Sequence, residues 1–227
     1  MKPNMISVFA FGLLSALFLG CANDTSGGSG SSGVPSTLND VESLAEDGYD
    51  MALASDFTAL ADIAAQLDTG WAAFRDQAVS DGASDAILGE MDQAIADLLA
   101  ASDAGFTDPV AAARTTNAIS APMDELFDLY DPAIPSAVLA LDYLGREVVL
   151  DGMEEDYAAA TADVGEIQAV WDSLRQAVVD AGGSDVATTY DDSIAALLQD
   201  IADTDATALI EEANVGLEIV DQMEAVF

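Results

Sequence analysis

The sequence predicts an all-α protein organised as two tandem repeats of an up-down helical bundle, with four helices in each copy. Three observations carry this. From Leu38 onward, apolar residues recur at the spacing of one helix face and do not alternate as strand residues would. Displaced by 100 residues, the chain matches itself at Pro35-Ser36/Pro135-Ser136, Leu44/Leu144, Asp56/Asp156, Trp71/Trp171 and Arg75/Arg175. Between the matched stretches, Asp131-Pro132-Ala133-Ile134-Pro135 holds two prolines that interrupt any helix. The expected layout is residues 1–20 as a signal peptide, 21–34 as a tether, 35–131 as copy one and 135–227 as copy two.

The chain opens with Lys2 and an apolar run from Met5 to Gly20, broken only by Ser7 and Ser15, the pattern of a signal-peptide core. The run is too short to span a bilayer comfortably as a mature helix. Leu17-Phe18-Leu19-Gly20-Cys21 resembles the bacterial lipobox, with Phe18 departing from the usual aliphatic residue. That resemblance implies cleavage before Cys21, a palmitate-type lipid anchor on its sulfur, and a cell-envelope lipoprotein. Ala22 in place of aspartate implies the outer membrane or cell surface rather than the inner membrane. Cys21 is the sole cysteine, so no disulfide can form within the chain. Gly27-Gly28-Ser29-Gly30-Ser31-Ser32-Gly33 buries nothing and reads as a flexible tether.

Each copy is then read helix by helix. Leu38, Val41, Leu44, Ala45, Tyr49 and Ala52 form the first stripe, answered by Val138, Leu141, Leu144, Val148 and Val149. The second carries Phe57, Leu60, Ile63, Leu67, Trp71, Phe74 and Ala78, and ends at Asp81-Gly82, where glycine suits a left-handed cap. The break between the first two stripes is expected at Asp47-Gly48 or Ser55-Asp56 in copy one and at Asp151-Gly152 in copy two; without it, each copy would have three helices. Ser84 and Ser184 stand where N-caps are wanted, before Ile87, Met91, Ile95 and Leu98 or Val186, Tyr190, Ile194 and Leu197. Asp108-Pro109 and Asp205 open the last helix of each copy. In copy two its stripe reads Ile210, Asn214, Leu217, Val220, Met223 and Phe227.

Composition limits function. All 42 acidic residues follow Cys21, and without Lys2 they face four arginines, a formal balance of −38 with no lysine and no histidine. Nucleic acid is excluded as a partner, because phosphate binding needs Lys and Arg to displace counterions. Half the residues are apolar, so the chain folds rather than forming an acidic disordered tail. Excess aspartate without lysine suits a protein working in high salt; the alternative is a surface that attracts cations or a basic partner.

The order of helix lengths, with a final helix opening Asp205-Ala206-Thr207-Ala208, resembles the periplasmic b-type and c′-type cytochrome bundles. The likeness covers each copy and implies a four-helix fold. Haem in those families hangs on a histidine, absent here, so no cofactor is expected and no functional residue carries over. The imelysin-like family is similar in being a two-bundle lipoprotein, and its His-and-Glu motif also has no counterpart.

Without histidine, lysine or a free thiol, the usual nucleophile–base pairs cannot be assembled, and no enzyme is expected. Glu154-Glu155-Asp156, Asp191-Asp192 and Asp200, Asp203 and Asp205 offer oxygens to hard cations but lack EF-hand spacing, so specific metal ligands stay unassigned. Trp71 and Trp171 precede Arg75 and Arg175 by one helical turn. Each pair is either a core indole covered by an ion-paired arginine or an aromatic–cationic pocket for an anion. Asn117 and Asn214 align in the last apolar stripe, as register-fixing core polar groups or as pocket residues. Pro122, where copy two has Ile219, is expected to kink that helix and open a cavity in the first copy only. The candidate ligand pocket is therefore Trp71, Arg75, Asn117, Trp171, Arg175 and Asn214. The expected protein is a non-enzymatic lipoprotein that binds a ligand or protein or acts as an envelope spacer; the alternative is a carboxylate-based divalent-cation binder.

Overall fold

The computed structural model describes residues 33–227, and these are all-helical. The expected signal peptide, Cys21 and the expected tether up to Ser32 lie outside the described residues. Nine α-helices follow in order: α1 Ser36–Leu53, α2 Phe57–Asp81, α3 Asp85–Ala104, α4 Pro109–Asn117, α5 Met123–Phe127, α6 Ala137–Glu154, α7 Tyr157–Asp180, α8 Ser184–Asp203 and α9 Ala206–Glu224. A 3₁₀ turn, Asp128–Tyr130, extends α5. No described helix is long and apolar enough to cross a membrane.

Helix ends follow local chemistry. Asp56, Asp156 and Asp205 each cap a helix by accepting backbone N–H bonds, and Asp108 accepts from Val110 and Ala111 with Pro109 in the first turn. Gly82 closes α2 in the left-handed region at φ 105°. Ser84 caps α3 through Ile87 N–H, as expected. Ser184 does not cap: Gly182 and Gly183 make the turn, and Ser184 becomes the first helical residue of α8.

The first and second stripes are separate helices, α1–α2 and α6–α7. In the first pair the break falls at Ser55-Asp56, one of the two expected places. In the second the expected break at Asp151-Gly152 is incorrect, because α6 runs through both residues to Glu154 and turns at Glu155. Asp-Gly marks close packing here instead. A Cβ on Gly152 would stand 2.7 Å from Ile210 Cγ1, and one on Gly48 2.7 Å from Thr116 Cγ2.

Around the first helices, α1 packs on α2 and α4, and α3 lies against α2 and α4. In the second half, α6 packs on α7 and α9, and α8 lies against both α7 and α9. Leu38, Leu67, Trp71, Phe74, Met91 and Leu126 are among the buried side chains of the first half; Leu141, Val164, Trp171, Tyr190 and Met223 are among those of the second. A smaller cluster of Tyr49, Ala52, Leu60, Ala112, Ala113 and Leu150 joins the two, because α6 also packs on α4 and α5. The consequence is local and large: every residue from Leu144 to Gly152 is buried, so α6 has no solvent face there.

Two expectations for the last helices are corrected. Asn117 ends α4, and a turn through Ser120 and Pro122 leads into α5, so Pro122 breaks the helix outright rather than kinking it. In α9 the buried face is Leu209, Ala213, Gly216, Ile219, Val220 and Met223. Asn214 and Phe227, read as part of that stripe, are exposed.

Candidate functional site

The two tryptophan–arginine pairs form equivalent structures. Trp71 donates from Nε1 to Asp92 Oδ1 at 2.7 Å, and Arg75 grips the same carboxylate through Nε and Nη2, each at 2.8 Å. Trp171 donates to Asp191 Oδ1 at 2.7 Å, and Arg175 holds that carboxylate at 3.0 Å from Nε and 2.6 Å from Nη2. The bidentate arginine, aided by the indole, keeps Asp92 and Asp191 below the ordinary carboxylate range. Both guanidinium groups are thus occupied, and the arrangement is a locked helix–helix contact.

Asn117 is fully buried and donates from Nδ2 to the Tyr143 carbonyl at 3.1 Å and to Glu147 Oε1 at 2.8 Å. Asn214 is exposed and bonds back to the Ile210 carbonyl at 2.6 Å. The six candidate pocket residues are therefore not gathered into one site. Each tryptophan meets its own arginine, Asn117 faces α6, and Asn214 faces solvent.

Sequence reading missed the polar strip that α6 carries into the interior. Arg114, from α4, bonds to Glu147, to Asp151 Oδ1 at 2.9 Å and to Glu154 Oε2 at 2.8 Å. Asp163 on α7 completes a group with Glu147 and Asp151, whose carboxylate oxygens all lie within 4.8 Å of one another. Burial raises Glu147 and Asp151, and burial together with the adjoining Asp151 pushes Asp163 up to about 7. Asp151 and Asp163 are thus both shifted towards the protonated form, while Asp151 Oδ2 is buried with no hydrogen-bond partner among the described residues. Next to Glu147 on α6, Arg146 pairs with Glu46 of α1 and with Asp142, reaches Ser120 Oγ at 3.4 Å, and lies 5.7 Å from the Tyr49 ring centre. The signal was present in the i,i+4 spacings Asp142/Arg146 and Glu147/Asp151, and in charged residues interrupting an otherwise apolar run.

Beside Arg146 opens a cavity of about 700 Å³. Glu42 and Glu46 of α1, Asp142 of α6, and Asp221 and Glu224 of α9 line one side. Val34, Phe127, Ile134, Pro135 and Leu139 supply an apolar wall around the 131–136 connector. The expected location within the first copy is thus corrected: residues from both halves enclose this cavity. Burial, reinforced by Glu46, raises Glu42 to about 8, and burial does the same to Asp142 despite Arg146. Asp221 and Glu224 are raised in the same direction, again chiefly by burial.

Chemically, the cavity offers carboxyl groups that hold protons near neutrality and a surface for apolar groups. Comparison with known proteins matches no family model, no curated protein and no solved structure.

Proposed function

We propose that this protein is a non-enzymatic, lipid-anchored binding protein of the cell envelope, held through Cys21 and taking a small ligand in the cavity at the 131–136 connector. The carrying observation is that cavity: about 700 Å³ falls in the range of small-molecule sites, and its walls combine apolar surface with a few polar groups. In this reading residues 35–131 and 135–227 are duplicated bundles of the cytochrome-like kind without haem, and the ligand site arises where they join. The equivalent Trp71–Asp92–Arg75 and Trp171–Asp191–Arg175 contacts support the duplication. The lipobox-like Leu17-Phe18-Leu19-Gly20-Cys21 supports the anchor, and Ala22 favours the outer membrane or cell surface.

Ala133 is exposed at the cavity mouth, so Ala133→Trp fills the space without disturbing the core. Native mass spectrometry of the full chain is expected to show small molecules retained by the wild type and lost from Ala133→Trp. Equal retention by both would remove the cavity from consideration. Fatty-acid labelling that disappears in Cys21→Ser checks the anchor.

A second reading, divalent-cation binding, is favoured by the Glu147–Asp151–Asp163 group. Arg114 already takes oxygens from two of these three residues, which makes an ion-paired lock the stronger reading of that site. Calcium titration against Asp163→Asn separates the two: calcium binding lost in the variant would favour the metal.

A further inference from the structure

The cation ledger of the molecule is unusually complete. The chain has no histidine, its one lysine is Lys2, and its four arginines are all engaged. Arg75 is held by Asp92, Arg175 by Asp191, and Arg114 by Glu147, Asp151 and Glu154. Among the described residues, Arg146 is the one cation bonded to side chains of the cavity wall, and it is shared between Glu46 and Asp142. Glu42, Asp221 and Glu224 therefore line a concave, partly apolar space without an ion pair of their own among the described residues.

Resting on the cavity reading above, we infer that the ligand is an organic ammonium ion with an apolar body, its charged end among Glu42, Asp221 and Glu224 and its body against Phe127, Ile134 and Leu139. A bare metal ion fits less well. The cavity is far larger than one ion, and the one group of three described residues with carboxylate oxygens mutually within 4.8 Å lies elsewhere, at Glu147, Asp151 and Asp163. An anion would meet like charge on every one of these groups that ionises, and a neutral apolar molecule would offer their polar atoms no partner.

Binding then exchanges one cation for another. Glu42 and Asp142 carry protons near neutrality because burial and neighbouring acids disfavour their charges. An ammonium group stabilises the ionised forms, so protons leave as it enters. The charged and titratable groups facing Glu42 are Glu46 on its own helix, Arg146 and Asp142 on α6, and Asp221 and Glu224 on α9, with Asp131 at the connector. Of these only Arg146 is basic, so affinity rises from pH 6 towards pH 8 to 9.

The test is calorimetric titration of the full chain with hexylammonium, hexanol, hexanoate and calcium, in about 0.5 M salt so that diffuse attraction is screened beyond about 4 Å. The expected result is one saturable hexylammonium site with proton release, visible as heats that vary with the buffer's ionisation enthalpy. Glu42→Gln, an isostere of the protonated acid, is expected to weaken binding roughly tenfold and reduce proton release, as a lost charge-assisted bond would. Glu224→Gln weakens it in the same direction, whereas Asp172→Asn, at an exposed position outside the cavity, does not. If hexanol or hexanoate binds as tightly as hexylammonium and Ala133→Trp abolishes both, the cavity is a ligand site but the ammonium inference is wrong. Calcium binding sensitive to Glu42→Gln, without hexylammonium binding, also overturns it. If none of the probes binds saturably, both readings fall.

Discussion

Arg114 Nη2 meets Asp151 Oδ1 at 2.9 Å, and the carboxylate side chain it meets is only 1% exposed. The contact joins α4 to α6, the helix whose residues from Leu144 to Gly152 are all buried. There Glu147 is answered by Arg114 and Asn117, and Asp151 by Arg114.

Removing that guanidinium should cost more as the pH rises. In Arg114→Met, the carboxylates lose their cation but can still protonate, which softens the penalty in acid. Arg114 is itself about a third exposed, so the loss is expected below the roughly 3–5 kcal/mol of a fully buried pair, at about 2–3 kcal/mol near pH 8 and less near pH 5. Urea unfolding at both pH values measures it. An equal loss at each would attribute the effect to packing of the arginine stem alone.

Thermal stability should fall between pH 5 and pH 8, opposite to the effect of carboxylates whose pKa is depressed in the fold. Glu42 and Asp142 are raised to about 8 and Asp163 to about 7 in the folded chain. An unfolded carboxyl group titrates near about 4, so between these values the folded state binds more protons than the unfolded one. Their contribution is complete below the unfolded value and is lost as pH rises through the folded value. Asp92 and Asp191, lowered by their arginines, act in the reverse sense and lose their contribution on acidification. Melting followed by circular dichroism is expected to show a maximum near pH 4–5, and Glu42→Gln to flatten the decline above it by up to about one proton.

At the tryptophan sites, the acid matters more than the arginine. Asp92 accepts from the indole of Trp71, which is only 4% exposed, as well as from Arg75. Asp92→Ala leaves the indole N–H and the guanidinium without their common acceptor and should cost about 2 kcal/mol, whereas Arg75→Ala breaks a solvent-exposed ion pair and should cost clearly less. Urea melts read by tryptophan fluorescence compare the two. A larger loss for Arg75→Ala would reverse the assignment.

Helix identity and most caps were legible because they depend on near neighbours. Ser84, Asp108 and Asp205 cap where the sequence places them. The interior polar strip was not legible, because burial of Arg146 and Glu147 depends on which helices surround α6. The apolar stripe of α9 shows the same limit. Ile210 and Leu217 are only half-buried, while the small residues Ala213 and Gly216 face the core, and Gly145 leaves room for Leu217 at 2.7 Å from where a Cβ would stand. Hydrophobicity alone ranks those positions the other way. The cavity needs both halves of the chain, so no single stretch of sequence announces it.

Glycine-to-alanine changes should separate structural glycines from incidental ones. Gly165 lies within α7, and a Cβ there meets nothing within 4 Å, so Gly165→Ala gains helix propensity and should stabilise the protein by about 0.5–1 kcal/mol. Gly48 lies within α1, where the same atom would stand 2.7 Å from Thr116 Cγ2 and 3.2 Å from Ile63 Cγ2. Both obstacles are methyl groups on branched, stiff side chains, and Thr116 is fully buried with its hydroxyl bonded to the Ala112 carbonyl at 2.9 Å. Overpacking of roughly 1–3 kcal/mol then outweighs the gain in propensity, and Gly48→Ala should be destabilising overall. Because α1 would be pushed away from α4, its effect should also reach the Arg146–Glu46 contact at the cavity floor, whereas that of Gly165→Ala should not. Paired denaturation curves, with hexylammonium titration of both variants, test this, and a stabilising Gly48→Ala would show that the α1–α4 contact is looser than its geometry implies.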